Sequence, residues 1–230
     1  MKDYNDFCAA LLEAGFSLGG GRHEGVFSLI SFNWNDEPLD DSPIRWHTGD
    51  PDTDPWVWRM RVLDERRDIA YAKVFFRKSG YITKEWYPYF LAARRENQSF
   101  EEAYAAGQVS HFAKRIYEAV SANSSLPSHD IKRIAGFSKE ENSAFDRALT
   151  DLQMKLYLTM CGEQLKLSKT GEEYGWSSTV FCSTEVFWGE DMFRQAAELS
   201  ASEAGEAIRG QVLRLNPAAA EKKIAAFIKG

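Results

Sequence analysis

Phe112-Ala113-Lys114-Arg115-Ile116-Tyr117-Glu118-Ala119-Val120, followed by Ser124-Ser125-Leu126-Pro127-Ser128, begins the part of the chain with the most readable order. Phe112, Ile116 and Val120 recur at helical spacing, and the Ser/Pro run that follows is a break. Ile131, Ile134 and Ala135 mark a short second helix stopped by Gly136. Phe145, Ala148, Leu149 and Leu152 mark a third, which runs toward Lys155 through Met160. Two strand-like stretches then flank the turn Ser168-Lys169-Thr170-Gly171, the second being Trp176 through Phe181. Helix, short helix, helix and hairpin is the layout of a winged helix-turn-helix, in which the third helix can enter a groove and the hairpin is the wing.

Outward from this unit, residues 3–14 carry Tyr4, Phe7, Cys8, Leu11 and Leu12 at helical spacing and end at Gly15. A strand is expected at Val26 through Phe32, entered from Gly19-Gly20-Gly21. Thr53 or Asp54 is placed to cap a helix over 54–65, with Pro55 in its first turn. Residues 69–83 read as a hairpin turning at Lys78-Ser79-Gly80, and Lys84 to Arg95 as a helix despite Pro88. Further helix is expected between Phe100 and Asn123. Asp191 to Lys229 returns to helix, divided at Asn216-Pro217. The fold class is α/β in the broad α+β sense, mainly helical with small β-hairpins. Three stretches follow: an N-terminal lobe over 1–105, the winged-helix-like unit over 106–190, and a helical extension over 191–230 packed on the same body.

The chain has 230 residues with 44% hydrophobic and 13% aromatic content, which is a packed globular composition. Its apolar run at Phe7 to Leu12 is stopped by Glu13, too short for a signal segment or a membrane span, so a cytoplasmic protein without membrane contact is expected. Cys8, Cys161 and Cys182 are odd in number and far apart, which writes neither a disulfide framework nor a zinc site; buried thiols are the simplest expectation. The Gly19-Gly20-Gly21-Arg22-His23 run lacks the P-loop and dinucleotide patterns, and no G-x-S-x-G or H-E-x-x-H occurs. No cofactor or metal is expected.

Net charge is −6, which argues against a protein that coats nucleic acid. The charge is uneven: 45–95 carries 11 Lys/Arg against 7 Asp/Glu and 110–170 carries 9 against 7, so basic surface lies in mid-chain. Across 45–95, aromatic and basic residues interleave. Trp46, Trp56, Trp58, Tyr71, Trp86 and Tyr89 offer stacking faces, and Arg59, Arg61, Lys73, Lys84, Arg94 and Arg95 offer contacts to phosphate or carboxylate. Core packing accounts for such rings equally naturally. His47 with Asp50 sits in a loop where a base and its orienter could lie, or where a hydrogen-bond set holds the turn. Arg147, Lys155 and Lys169 give the third helix and the wing their cations, alongside Asp146 and Asp151 of opposite sign.

Several strings together resemble one bacterial family. They are Arg45-Trp46-His47-Thr48-Gly49-Asp50, Asp54-Pro55-Trp56-Val57-Trp58-Arg59, Ala70-Tyr71-Ala72-Lys73-Val74-Phe75, Gly80-Tyr81-Ile82-Thr83-Lys84-Glu85-Trp86, Phe145 through Gln153, and the ending from Asn216-Pro217 to Phe227-Ile228. These resemble the AlkZ-related proteins, named for similarity to winged-helix DNA glycosylases that remove alkylated or crosslinked bases. The resemblance implies that architecture and a nucleic-acid-binding shape. The glycosylases use a Gln-x-Gln or Gln-x-Asp motif to position water. Here Gln153 is followed by Met154-Lys155, Gln98 by Ser99-Phe100 and Gln108 by Val109-Ser110. Three expectations stand side by side: DNA contact through the basic segments without catalysis, a small anionic ligand or protein partner in a cleft lined by Trp46, His47, Trp58 and Trp86, or a residual base-excision enzyme with a rearranged site, which needs a carboxylate or Gln near a base-sized pocket.

Overall fold

A computed structural model describes residues 1–21, 24–36, 41–167 and 172–230. The turn at 168–171, with Lys169, and the pair Arg22-His23 lie outside the described residues. The first helix, α1 (Tyr4–Ala14), is capped by Asp3, whose carboxylate accepts from the backbone N–H of Asn5 and Asp6, and it stops at Gly15 with φ 86°. Of its apolar stripe, Tyr4, Phe7, Cys8 and Leu11 are buried, as their spacing predicts, while Leu12 is exposed.

A three-stranded antiparallel sheet follows, in the order β1-β3-β2, from β1 (Phe16–Leu18), β2 (Ile69–Phe75) and β3 (Lys78–Thr83). Two expectations are corrected here. The stretch Val26 through Phe32 is not a strand. It runs beside β1 but bonds to it partly through hydroxyls: Leu29 N donates to Ser17 Oγ at 3.0 Å, and Ser28 Oγ donates to the carbonyl of Leu18 at 3.4 Å. Serine side chains replace ladder partners, so the β-rich composition builds an edge cover instead. The hairpin turn is Phe76-Arg77, both with positive φ, and not Lys78-Ser79-Gly80. Gly80 lies inside β3, where a Cβ would stand 2.5 Å from the Phe75 ring. The turn residues are held from outside, Arg77 by Asp151 and Phe76 against Phe227.

The helix expected over 54–65 is α2 (Pro55–Glu65), and that over 84–95 is α3 (Tyr87–Arg95), shortened at its start with Pro88 in its first turn. After α4 (Phe100–Ala105) come α5 (His111–Ala122), β4 (Ser125–Pro127), α6 (Ser128–Ile134), α7 (Asn142–Met154), β5 (Leu158–Leu167) and β6 (Glu173–Ser183). The helix, short helix, helix, hairpin order is therefore present. The Ser/Pro break between the first two helices adds a short strand, giving a second antiparallel sheet ordered β4-β6-β5. α7 packs against α5 on one side and against β2 on another. Its last two turns, Ala148, Leu149, Thr150, Leu152, Gln153 and Met154, are buried, polar residues included.

The chain closes with α8 (Thr184–Trp188), α9 (Glu190–Ala197), α10 (Ala201–Leu215) and α11 (Glu221–Lys229), the last two divided at Asn216-Pro217. One continuous core draws buried residues from all three stretches named from the sequence, from Phe7 through Ile116 and Phe145 to Phe227. No described helix is long and apolar enough to cross a membrane.

The two sheets and the last helix meet at a bulge in β2, where pairing with β3 shifts between Ala72 and Phe75. The groups freed there are satisfied by side chains: Lys73 N donates to Gln153 Oε1 at 3.0 Å, and the Val74 carbonyl accepts from Arg94 Nη1 at 2.8 Å. Arg94 also donates to the carbonyls of Met154 at 2.8 Å, Phe227 at 2.9 Å and Ile228 at 2.8 Å. These are last-turn carbonyls of α7 and α11, where a cation is favoured. Burial pushes the Arg94 guanidinium down to about 9, which still leaves it charged at neutral pH. Arg94→Met should strand these carbonyls and lower stability by about 3 kcal/mol or more, a Tm drop of roughly 6–12 °C for a chain this size. Thermal unfolding followed by circular dichroism checks this; a shift under about 2 °C contradicts the clamp.

Candidate functional site

The loop before α2 is organised by one carboxylate. Asp54 is fully buried, and it accepts from the backbone N–H of His47 at 3.0 Å, Gly49 at 2.9 Å and Trp56 at 2.8 Å. It caps α2 and at the same time closes the 47–49 turn, in which His47 has φ 60°. The cap therefore fixes His47 beside Trp56, with ring centroids 4.9 Å apart, while Trp46 and Trp34 each lie 6.3 Å from the imidazole. Trp46 is held by its own indole N–H, which donates to the Phe32 carbonyl at 3.2 Å. One turn along α2, the Arg59 guanidinium lies 3.6 Å from the Trp56 ring centroid and donates to the Trp56 carbonyl at 2.9 Å.

Trp34, Trp46, Trp56 and Arg59 line a cleft of about 410 Å³ together with Tyr71, Lys73, Lys78 and Asn33, while His47 packs on Trp56 outside the lining. The glycine run forms one wall: a Cβ on Gly20 would stand 2.5 Å from the Trp46 ring, and one on Gly21 would meet the Asn33 side-chain oxygen at 2.3 Å. Lys73 lies two positions along β2 from Tyr71 and so faces the cleft with it. Burial pushes the Tyr71 phenol up, so it is a neutral hydroxyl at physiological pH. Lys78 is paired with Glu24, whereas Arg59 and Lys73 form no ion pair among the described residues. The described lining contains no carboxylate, so the cleft is aromatic and electropositive. Such a surface suits a flat conjugated ring bearing an anionic group.

Of the residues singled out from sequence, Trp46, Trp56, Arg59, Tyr71 and Lys73 are brought together in the lining, with His47 against Trp56 beside it. The others are placed elsewhere. Trp58 faces the opposite side of α2, has no exposed surface and stacks on Phe7 at 5.0 Å, so its indole is core and not cleft. Arg61 is turned to Pro51, Asp52 and Glu65, with its guanidinium 4.0 Å from the Tyr4 ring. Trp86 packs on Phe16 and Tyr89, and Gly15 leaves room for its ring. Arg94 is the buried clamp described above. Arg95 pairs with Glu185 at 2.9 Å and lies over Tyr157. Asp50 caps its own turn by accepting from Asp52 N at 2.8 Å, and the carboxylate that holds the His47 loop is Asp54. Arg147 is exposed on α7, and Lys155 follows that helix beside Arg77.

Trp34, Asn33 and Lys78 line the cleft without having been singled out as site residues from the sequence. Trp34 and Asn33 follow an expected strand, and nothing local shows that the chain from 26 to 34 folds back over the glycine run. The signal that could have found them is the triple glycine itself, since three consecutive glycines permit close approach of other groups. Asp54→Ala should remove three charge-assisted bonds, costing about 2 kcal/mol. The near-ultraviolet circular dichroism of the tryptophans should weaken with it. Unchanged stability and an unchanged spectrum contradict the role assigned to Asp54.

No curated protein and no solved structure matches the chain. The family model described as AlkZ related matches residues 1–229, effectively the whole length. The chain thus belongs to the AlkZ-related family.

Proposed function

We propose that this protein binds nucleic acid by taking an unpaired base, with its phosphate, into the aromatic cleft between α2 and the first sheet. The observation that carries this reading is the lining: Trp34, Trp46, Trp56 and Tyr71 around a space of about 410 Å³, with Arg59 and Lys73 at its wall. A base has a π-face that stacks on such rings in any sequence, and the phosphate attached to it meets the guanidinium and the ammonium. Family membership supports a relation to DNA-acting proteins.

We further propose that the stretch from α5 to β6 is a winged-helix unit used as a scaffold. Its element order and its β4-β6-β5 sheet support the name. The burial of α7 over its last two turns supports the role, because a helix packed between α5 and β2 has its reading face occupied. Arg147, Lys132 and Arg133 remain exposed or half-exposed for phosphate contact, but Asp146 and Asp130 stand next to them. The reading is of binding rather than base release. Gln153 is buried, bonded to Lys73 N at 3.0 Å and the Leu149 carbonyl at 3.0 Å, and lies outside the cleft lining.

Titration of a single-stranded oligonucleotide should quench tryptophan fluorescence, with affinity falling as salt rises. Trp56→Ala and Arg59→Ala should each weaken binding roughly tenfold, matching the 1–3 kcal/mol of a stacked base. Arg147→Ala, outside the cleft lining, should change it less than threefold. Binding of a free nucleotide as tight as that of the oligonucleotide moves the assignment to a small anionic ligand; no binding of either overturns it.

A further inference from the structure

A second cavity, of about 490 Å³, lies where the end of the first sheet meets the second. It is lined by both Cys161 and Cys182, by the cations Arg67 and Lys84, and by Phe187 and Trp188 of α8. The sequence separates the two cysteines by 21 positions, and the β5–β6 pairing brings them together. Thr159 faces Cys182, Met160 faces Phe181 and Gly162 faces Val180, so Cys161 is the extra residue of a bulge and sits diagonally across from Cys182. At these neighbouring positions each thiol shifts the titration of the other. Cys182 is buried and Cys161 is half-exposed toward the cavity, so the pair has an outer and an inner member.

The electrostatics separate them further. Its neighbour Cys182 lowers the Cys161 thiol below its ordinary range, against burial, which raises it. Cys182 is raised, first by Cys161, then by burial and by the nearby Glu185. A thiol is nucleophilic as its thiolate, so Cys161 is the attacking group and Cys182 the reserve. Arg67 is exposed and donates one N–H to the Leu63 carbonyl at 3.3 Å; Lys84 is exposed and lies near Asp68, which is itself paired with Arg66 at 2.6 Å. Two cations beside a half-exposed thiol favour a reactant that carries negative charge.

We propose that this cavity is a thiol–disulfide exchange site for a small anionic disulfide, with Cys161 as nucleophile and Cys182 as resolving thiol. The Cys161 thiolate attacks one sulfur of the disulfide RSSR, forming Cys161–S–S–R and releasing RS⁻. Cys182, losing its proton, attacks the Cys161 sulfur, forms the Cys161–Cys182 disulfide and releases the second RS⁻. Two electrons pass from the protein dithiol to RSSR, and the two protons finish on the released thiols. The site is independent of the aromatic cleft.

The test uses the reduced full chain with oxidised glutathione, which is anionic, and cystamine, a cationic disulfide of the same bond type, followed by intact mass and peptide mapping. Wild-type protein should end with a Cys161–Cys182 disulfide. Cys182→Ser should hold one glutathionyl group on Cys161, and Cys161→Ser should acquire neither product. Oxidised glutathione should react faster than cystamine, and Arg67→Ala with Lys84→Ala should slow it about tenfold while leaving cystamine no slower. As a measurement free of any buried substitution, brief labelling of wild-type protein with iodoacetate should modify Cys161 ahead of Cys8 and Cys182. First reaction at Cys8 or Cys182, cystamine reacting as fast as oxidised glutathione, or a rate indifferent to the two cations would overturn the proposal.

Discussion

The Arg94 guanidinium is the contact on which the arrangement of the whole chain rests. It leaves α3 and reaches four carbonyls, on the β2 bulge, at the end of α7 and on the last turn of α11. Helix C-termini present carbonyls without intrahelical partners and carry the negative end of the dipole, so a single cation serves two helices at once. Arg is suited to this because its five donors have a fixed planar spread and it keeps its charge when buried. Around it the aromatic packing is dense, with Phe227 stacked on Phe75 at 4.0 Å and set against Phe16 and Phe90. The ion therefore sits where apolar burial supplies most of the stability and polar satisfaction supplies the register.

One wall of the cleft is carried by β2. Lys73 lies two positions from Tyr71 and so shares its face of the strand, and the backbone there is held to α7 and α3 by Gln153 and Arg94. The opposite wall is set by Asp54, whose carboxylate fixes the His47 turn and the start of α2 together. The two walls of the cleft thus depend on backbone groups that ordinary secondary structure leaves unpaired and side chains complete. Preorganisation of this kind lowers the ordering cost of taking up a ligand.

The two sheets play different parts. The first contributes the cleft, through the glycine run and the hairpin. The second brings Cys161 and Cys182 side by side, again at a bulge. Between them α7 is packed on both sides, which explains why its buried face includes Thr150 and Gln153. Thr150 donates to the Asp146 carbonyl at 2.8 Å, and Gln153 is bonded at both ends, so neither polar group is left unsatisfied.

Much of the element order is legible in the sequence because it rests on local rules. Gly15 stops α1 by taking a positive φ, Asp54 and Pro55 start α2, Asn216-Pro217 divides α10 from α11, and the spacing from Phe112 to Leu152 lays out the helices of the second unit. Site residues are legible in composition, as an excess of tryptophan and arginine over 45–95, but not in orientation. Trp56 and Trp58 are two positions apart on one helix and so point about 200° apart, one to the cleft and one to the core. Which face is which depends on what packs there, and that is non-local: Phe7 covers Trp58, while Trp34 and Trp46 leave Trp56 open. Arg94 and Arg95 differ in the same way, one reaching carbonyls more than 130 residues away and the other meeting Glu185. Where helices begin and end is written locally, because capping and hydrophobic period act within a turn or two. Which arginines are clamps, which tryptophans form a cleft and which cysteines come to neighbouring strand positions follows from packing, because burial and pairing are set by chain segments far apart in sequence.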